Sequence, residues 1–483
     1  MFYGRSEILA RFTELWRKKV PSLVVCRGRR RIGKSTLLKQ FAVRSGARFL
    51  SFEGLAPDEG MTNQDQLDEF TRRLARQTRL PKTKVSDWGD AFELLDSVLD
   101  NRETVVLLDE ISWMGKYDHR FPAKLKVAWD NLFHEHPRLI VFLCESVSTW
   151  IQKNILGSKG FVGRVSLDVV VPELPPAECL KFWGARAKRT DWREILDVLA
   201  VTGGVPRYLE EMDFALPADE NIGRTCFTPE GYLFRDFNEI FNDMLSDSNT
   251  LKKDILHALA RESLGTSEIA ERLDRERNGH MSEALEELKV AGFIDEDGGL
   301  NPATGRRART GRYRIRDNYA RFFLRYVLPV SEEIRRGAYR FSSLAALPGW
   351  ESVMGFQFEN LVMNNLPTLL DALGLGNRSF VSAAAYRNKL MSRGGGCQID
   401  LLLQTSSTAY VVEVKRRREI RGDVVDDVRE KVARLPLRRG MSVRTVLVYA
   451  GELSPVVPDS DFFDFIIPAP RLFGIDAPVP SRE

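Results

Sequence analysis

The chain has 483 residues, of which 43% are hydrophobic and 29% charged, with a formal net charge of +4. Such a length suggests two to four domains of about 150 residues each, and the near-balanced charge gives no general argument for nucleic acid. Five cysteines, an odd number with no CxxC pair, and five histidines without metal-ligand spacing exclude a disulfide frame and a zinc site and point to reduced thiols in a cytosol. No basic segment followed by an apolar run opens the sequence, and no uncharged apolar stretch is long enough to span a bilayer. A cytoplasmic chain without membrane attachment is therefore expected.

In chain order, Leu23-Val24-Val25-Cys26 is a short apolar run ending at Gly28, and residues 35–43 have helical character. Val105-Val106-Leu107-Leu108 and Leu139-Ile140-Val141-Phe142-Leu143 repeat the pattern. Apolar runs without alternation suit strands buried on both faces of a parallel sheet, and helices between them make a doubly wound α/β domain, here residues 1–174. From Pro175 the pattern turns helical, giving a lid over residues 175–245. Residues 246–330 follow winged-helix order. A short helix begins near Ser267, and a second spans 280–291 with Met281, Ala284, Leu285 and Leu288 on one face and Gly292 placed to end it. Strand Phe293-Ile294-Asp295, a loop rich in Gly and Arg, and strand Tyr313-Arg314-Ile315-Arg316 complete it. Residues 345–467 read as a small α/β domain, with a helix near 358–370, strands at 399–403, 410–414 and 443–449, and a helix at 424–435. Residues 468–483 read as a Pro-rich tail.

Gly28-Arg29-Arg30-Arg31-Ile32-Gly33-Lys34-Ser35-Thr36 matches the phosphate-binding pattern G-x-x-x-x-G-K-[ST] between an expected strand and an expected helix. Gly28 and Gly33 let backbone N–H groups wrap the phosphates, and the helix N-terminus adds its dipole. Lys34 reaches the β- and γ-phosphates, Ser35 holds Mg²⁺, and ATP is the expected nucleotide. The strand ending in Asp109-Glu110 supplies the second half: Asp109 joins the Mg²⁺ shell and Glu110 orients or deprotonates the attacking water. Ser146, after the third strand, is a candidate γ-phosphate sensor, and Arg164 a candidate for transition-state charge, in cis or across a subunit interface.

These residues resemble the archaeal-type ATPases of the AAA+/STAND group, whose members often carry a C-terminal nuclease-like domain. Gly4-Arg5-Ser6-Glu7 resembles that family's GRxxE element near the adenine, Arg30-Arg31-Ile32-Gly33-Lys34-Ser35 its arginine-flanked P-loop, and Leu108-Asp109-Glu110 its Walker B. Trp150-Ile151-Gln152 and Gly163-Arg164 resemble the segment after its sensor strand, and Gly203-Gly204-Val205-Pro206 its GGxP element near the base. The resemblance thus implies that Arg5, Arg31, Thr36 and Pro206 border the nucleotide. Glu145 departs from the pattern, standing where the family usually has Gly.

Toward the C-terminus, Glu359 on a helix, Asp400 at the start of a strand and Glu413-Val414-Lys415 on the next strand resemble the PD-(D/E)xK nuclease order. Asp400 and Glu413 on neighbouring strands suit one oxygen-liganded divalent cation. Lys415, two residues from Glu413, points to the same side and positions water. Arg416, Arg417 and Arg418 suit phosphates. In the winged helix, Glu283, Glu286 and Glu287 face a phosphate backbone poorly, so a packing or lid role is expected there, with 306–312 as the wing. The expectation is an ATPase whose nucleotide cycle controls a nuclease-like domain on DNA or RNA, with a homo-oligomer as a further partner state. The alternatives are a STAND-like switch that only recognises and a DNA-binding regulator without nuclease activity.

Overall fold

The computed structural model describes the chain except residues 1, 101, 147–148, 245–249, 299–300, 305, 307–310, 377–381, 389–395 and 476–483, with backbone alone at 241–244 and 388. The chain divides into two compact units, Met1–Glu173 with Val290–Gly292, and Leu174–Lys289 with Phe293–Glu483.

The first unit is built on five strands: β1 (Ser22–Arg27), β2 (Arg48–Glu53), β3 (Thr104–Asp109), β4 (Leu139–Glu145) and β5 (Val165–Val170). Their order is β2-β3-β4-β1-β5, every neighbouring pair parallel, which fits a P-loop NTPase core. The three strands expected from continuous apolar runs are the three interior ones, and their residues Val24, Val106 and Phe142 have no solvent exposure. A parallel sheet covered on both faces demands that composition. The edge strands β2 and β5 escape the same reading because each is covered unevenly, and their sequences mix Arg, Ser, Glu and Asp with apolar residues. Phe52 of β2 is nonetheless fully buried and stacks on Phe70 of the helix Asn63–Gln77, with centroids 4.3 Å apart. Since β4 lies between β1 and β3, the chain crosses two strands between β1 and β2. The carboxyl ends of β1, β4 and β3 therefore meet at one edge, where doubly wound sheets bind ligands.

In the second unit the helices Trp192–Thr202, Pro206–Glu210, Ala218–Cys226, Tyr232–Met244 and Thr250–Leu259 come first. A small antiparallel sheet follows, β6 (Leu264–Gly265), β7 (Ile294–Asp297) and β8 (Arg312–Ile315), in order β6-β8-β7. Helices Thr266–Arg272 and Gly279–Val290 lie between β6 and β7 in sequence. The expected stripe of Met281, Ala284, Leu285 and Leu288 is buried. Most of the expected wing, 307–310, lies outside the described residues.

The C-terminal sheet contains β9 (Ser382–Asn388), β10 (Cys397–Gln404), β11 (Thr408–Ile420), β12 (Ser442–Leu453) and β13 (Phe465–Pro468), in order β13-β12-β11-β10-β9. β9, β10 and β11 pair antiparallel, while β11, β12 and β13 pair parallel. The helix Asp423–Arg434 makes the crossover that a parallel β11–β12 pair requires. Helix Trp350–Asn364 packs on β11. β9 was not expected, because Ala383-Ala384-Ala385 has low strand propensity; pairing with β10 supplies what the local sequence lacks. Residues 469–473, expected as tail, instead pack. Ala469–Leu472 forms a helical turn, with Ala469, Leu472 and Phe473 buried. Among the described residues no helix is long and apolar enough to cross a membrane.

Candidate functional site

At the carboxyl end of β1 the backbone has little freedom. Gly28 has φ 156°, and a Cβ there would stand 2.7 Å from the Val171 carbonyl oxygen, so no other residue fits. Arg31 (φ 69°) and Gly33 (φ 84°) are left-handed, the kind of alternation that turns successive N–H groups toward an anion. The helix Lys34–Ser45 starts directly after them, with Thr36 exposed in its first turn. Lys34 is 6% exposed, and its ammonium donates to the carbonyls of Gly28 (3.0 Å) and Arg29 (3.1 Å) and to Ser146 Oγ (3.2 Å). Those contacts hold the charge at the mouth of the loop with all three donors used.

Ser35 Oγ donates to Asp109 Oδ2 at 2.5 Å, so the two residues expected around Mg²⁺ already touch. Glu110 takes a left-handed conformation (φ 49°) immediately after β3, and its carboxylate accepts from the Ser146 hydroxyl. Strain of about 1–3 kcal/mol persists at such a residue only where its surroundings over-determine it. Ser146 thus bridges Lys34 and Glu110, because β4 delivers it between the strands that carry them. Arg5 (φ 65°) donates to the Ile32 and Glu173 carbonyls, both at 3.3 Å, and ties the N-terminal element to the phosphate loop.

Glu145, the departure noted in the sequence, is 2% exposed. Its carboxyl accepts from the Ser112 (2.9 Å) and Ser146 (3.1 Å) backbone N–H groups. Burial first, and then the neighbouring Glu110 charge, push it up to about 8. The folded state therefore keeps a proton that the unfolded chain gives up near 4.5, so this contribution to stability is complete below that pH and lost as the pH rises through about 8. At roughly 1.4 kcal/mol per unit, the loss amounts to a few kcal/mol. Glu145→Gln is expected to flatten the thermal midpoint against pH across this window. Parallel wild-type and variant profiles would show that Glu145 is not the titrating group.

The structure does not bring Arg164 to these residues. β5 runs parallel to β1 with Val165 opposite Leu23, the amino end of β1, whereas the phosphate loop leaves its carboxyl end. At about 3.3 Å per strand residue this puts Arg164 roughly 15 Å from the loop along the strand. Its guanidinium there forms a fork with Asp130, at 2.6 and 2.9 Å. Pro206, in the second unit, opens the helix Pro206–Glu210. The preceding turn needs Gly204, because a Cβ there would stand 2.1 Å from the Leu174 carbonyl oxygen.

A second constellation lies within the second unit. Glu413 on β11 has no solvent exposure; its Oε1 accepts from Lys431 Nζ (2.7 Å) and forms an ion pair with Lys415 Nζ (2.5 Å), while among the described residues its Oε2 has no hydrogen-bond partner. Asp400 sits where the register of β10 on β9 slips between Ile399 and Leu402, and its Oδ2 accepts from the Val414 backbone N–H at 2.8 Å. Such irregularities re-aim side chains beside functional sites. Burial, then the charges of Glu413 and Glu359, hold the Asp400 carboxyl far above the ordinary carboxylate range. Glu359 is also raised, by burial first. Asp400 and Glu359, raised beside the Glu413 charge, form with it an acid cluster short of positive charge, which Lys415 and Lys431 supply in part. Among the described residues no group of three or more His, Cys, Asp and Glu side chains stands at metal-ligand spacing. Sequence reasoning missed Lys431, although Asp427 and Lys431 one helical turn apart, just after an E-x-K strand, are the signal for it.

No family model matches the chain. Uncharacterized protein MJECL04 of Methanocaldococcus jannaschii is 23% identical over 377 residues, covering 76% of this chain and 80% of that protein. Among solved structures, the Walker-type ATPase paby2304 of Pyrococcus abyssi is 18% identical, covering 67% of this chain and 96% of its own, with a TM-score of 0.49. The ORC2 protein of Aeropyrum pernix, in its ADPNP–ADP complexes, is 15% identical, covering 69% and 93%, with a TM-score of 0.42. Drosophila ORC bound to DNA is 16% identical, covering 65% and 92%, with a TM-score of 0.33.

Proposed function

We propose that the chain is a cytoplasmic ATPase of the archaeal AAA+/STAND type whose nucleotide cycle controls a nuclease-like domain, residues 345–467, acting on nucleic acid. The observation that carries the ATPase is the linked set Lys34, Ser146, Glu110 and Ser35, Asp109 at the carboxyl ends of β1, β4 and β3. In this reading the phosphate loop and Lys34 hold the β- and γ-phosphates of ATP, and Glu110 takes the proton of the attacking water while Ser146 fixes its carboxylate. Mg²⁺ at Ser35 and Asp109 would neutralise charge developing between the two phosphates. Arg5, Arg31 and Thr36 border the nucleotide, and Arg164 serves a neighbouring copy of the chain in a homo-oligomer. Residues 175–245 act as the lid and 246–330 as a winged helix that packs. Five buried free cysteines suit a reducing compartment.

The nuclease assignment rests on Asp400 and Glu413 on adjacent strands with Lys415 at the same carboxylate. A divalent cation held by Asp400 and the orphaned Oε2 of Glu413 would supply charge for a leaving oxygen. The second reading, a nucleotide-dependent switch that recognises without cutting, is favoured by the two lysines already seated on Glu413 Oε1.

The deciding experiment follows Mg²⁺- or Mn²⁺-dependent cleavage of labelled single- and double-stranded DNA and RNA, with and without ATP, beside Asp400→Asn. ATP-modulated cutting that disappears in the variant is the expected result. Intact ATP hydrolysis with no cutting on any substrate would leave the switch as the function.

A further inference from the structure

A cavity of about 240 Å³ opens beside the acid cluster, within the second unit. Glu359 and Asp400 form part of its wall, and Arg312, Arg314, Arg321 and Arg387 also line it. The candidate cleavage site is therefore not made by the C-terminal sheet alone, because β8 and the helix Asn318–Phe322 contribute three arginines to the same space.

Of these arginines, Arg314 is committed to Asn364 (3.1 Å), Asp297 (3.3 Å) and Asp295 (3.4 Å). Arg321 differs. It is 5% exposed, and its hydrogen bonds go to neutral acceptors, Gln357 Oε1 at 3.2 Å and the Ile315 carbonyl at 3.3 Å. Among the described residues it makes no ion pair. A guanidinium buried without a carboxylate fork is costly unless an anion arrives from elsewhere. Burial first, joined by the nearby Arg314 and Arg325 charges, lowers it to about 10, against the pull of Glu359. Over it lies Phe356, 5.5 Å from ring centroid to guanidinium carbon, and this ring is 38% exposed on the cavity wall.

A buried cation short of an anion, an exposed aromatic face and adjacent acids together suit one ligand chemistry. Phosphate answers the arginine, a base answers the ring, and the acids answer the next phosphodiester through a cation. The volume lies below the roughly 300–1,000 Å³ of drug-sized ligand sites, so stacked base pairs do not fit. A base enters such a space only when it is out of the helix. We propose that this cavity takes one unpaired nucleotide of a nucleic-acid strand, its base on Phe356 and its phosphate toward Arg321 and Arg387, which makes the C-terminal domain selective for single-stranded segments or frayed ends. The inference rests on reading Asp400 and Glu413 as a nucleic-acid site.

The test uses the full chain and a fluorescein-labelled single-stranded pyrimidine DNA, with the same strand in a blunt duplex as competitor. Phe356→Ala and Arg387→Ala alter exposed side chains and are expected to leave the melting temperature unchanged. Each should weaken single-strand binding by about tenfold, the order of one lost base stack or phosphate contact, and the blunt duplex should compete poorly. Unchanged single-strand affinity in both variants, or a duplex that competes as well as the single strand, would overturn the proposal. Strand binding sensitive to Phe356→Ala without any cutting would retire the nuclease and keep the cavity. Cutting lost in Asp400→Asn but indifferent to both cavity variants would keep the nuclease and retire the cavity.

Discussion

Glu110→Gln is expected to lower ATP turnover by about 10²–10⁴-fold, the range for a positioned general base, while nucleotide affinity changes little. The amide preserves length and shape, and its carbonyl oxygen still accepts from the Ser146 hydroxyl, so the link to Lys34 survives. What disappears is the capacity to accept a proton at a carboxylate held just beyond β3 by a left-handed residue. Lys34→Ala should behave differently. It removes a charge whose three partners define the mouth of the loop, so affinity falls as well as turnover. Steady-state hydrolysis together with binding of a fluorescent ATP analogue separates the two effects. Turnover within about threefold of wild type in Glu110→Gln would remove Glu110 from the chemistry and leave the water to another group.

The other large effect concerns stability. Lys415→Met combined with Lys431→Met is expected to destabilise the second unit by about 3–5 kcal/mol, the usual consequence of stripping the partners from a buried charge. Glu413 has no exposure, and both ammonium groups sit on one of its oxygens while the other has no hydrogen-bond partner among the described residues. Adding Glu413→Gln to the pair should recover most of the loss, because the amide carries no charge to desolvate. Urea unfolding of the double and triple variants measures both steps. A double variant within about 1 kcal/mol of wild type would mean that Glu413 takes up a proton or a cation when its lysines leave.

The sequence by itself determined the parts whose chemistry is local. Gly28 through Thr36 names a phosphate loop because the glycines and Lys34 must follow one another closely. The interior strands β1, β3 and β4 announce themselves because burial on both faces requires unbroken apolar runs. Asp400, Glu413 and Lys415 were legible for a related reason: the acids end or occupy apolar strands, and a two-residue spacing on a strand puts Glu413 and Lys415 on one side. The amphipathic face of the helix Gly279–Val290 was equally plain, since its period is written in four apolar residues.

Tertiary structure alone decided the rest, because it depends on which distant segments pair. β9 exists through its register with β10, not through the propensity of Ala383-Ala384-Ala385. The position of Arg164 follows from the register of β5 on β1, and no local pattern encodes that it lies at the opposite end of the sheet from the phosphate loop. Glu145 looked like a departure from a motif; packing made it a buried carboxyl held by Ser112 and Ser146. Lys431 reaches Glu413 because the helix Asp423–Arg434 crosses back over the sheet between two parallel strands. Arg321 meets Phe356 on the cavity wall because the helix Asn318–Phe322 packs on the helix Trp350–Asn364. Side-chain chemistry and short spacing are properties of neighbouring residues, whereas convergence across tens or hundreds of positions is a property of the packed core, where burial and register act together.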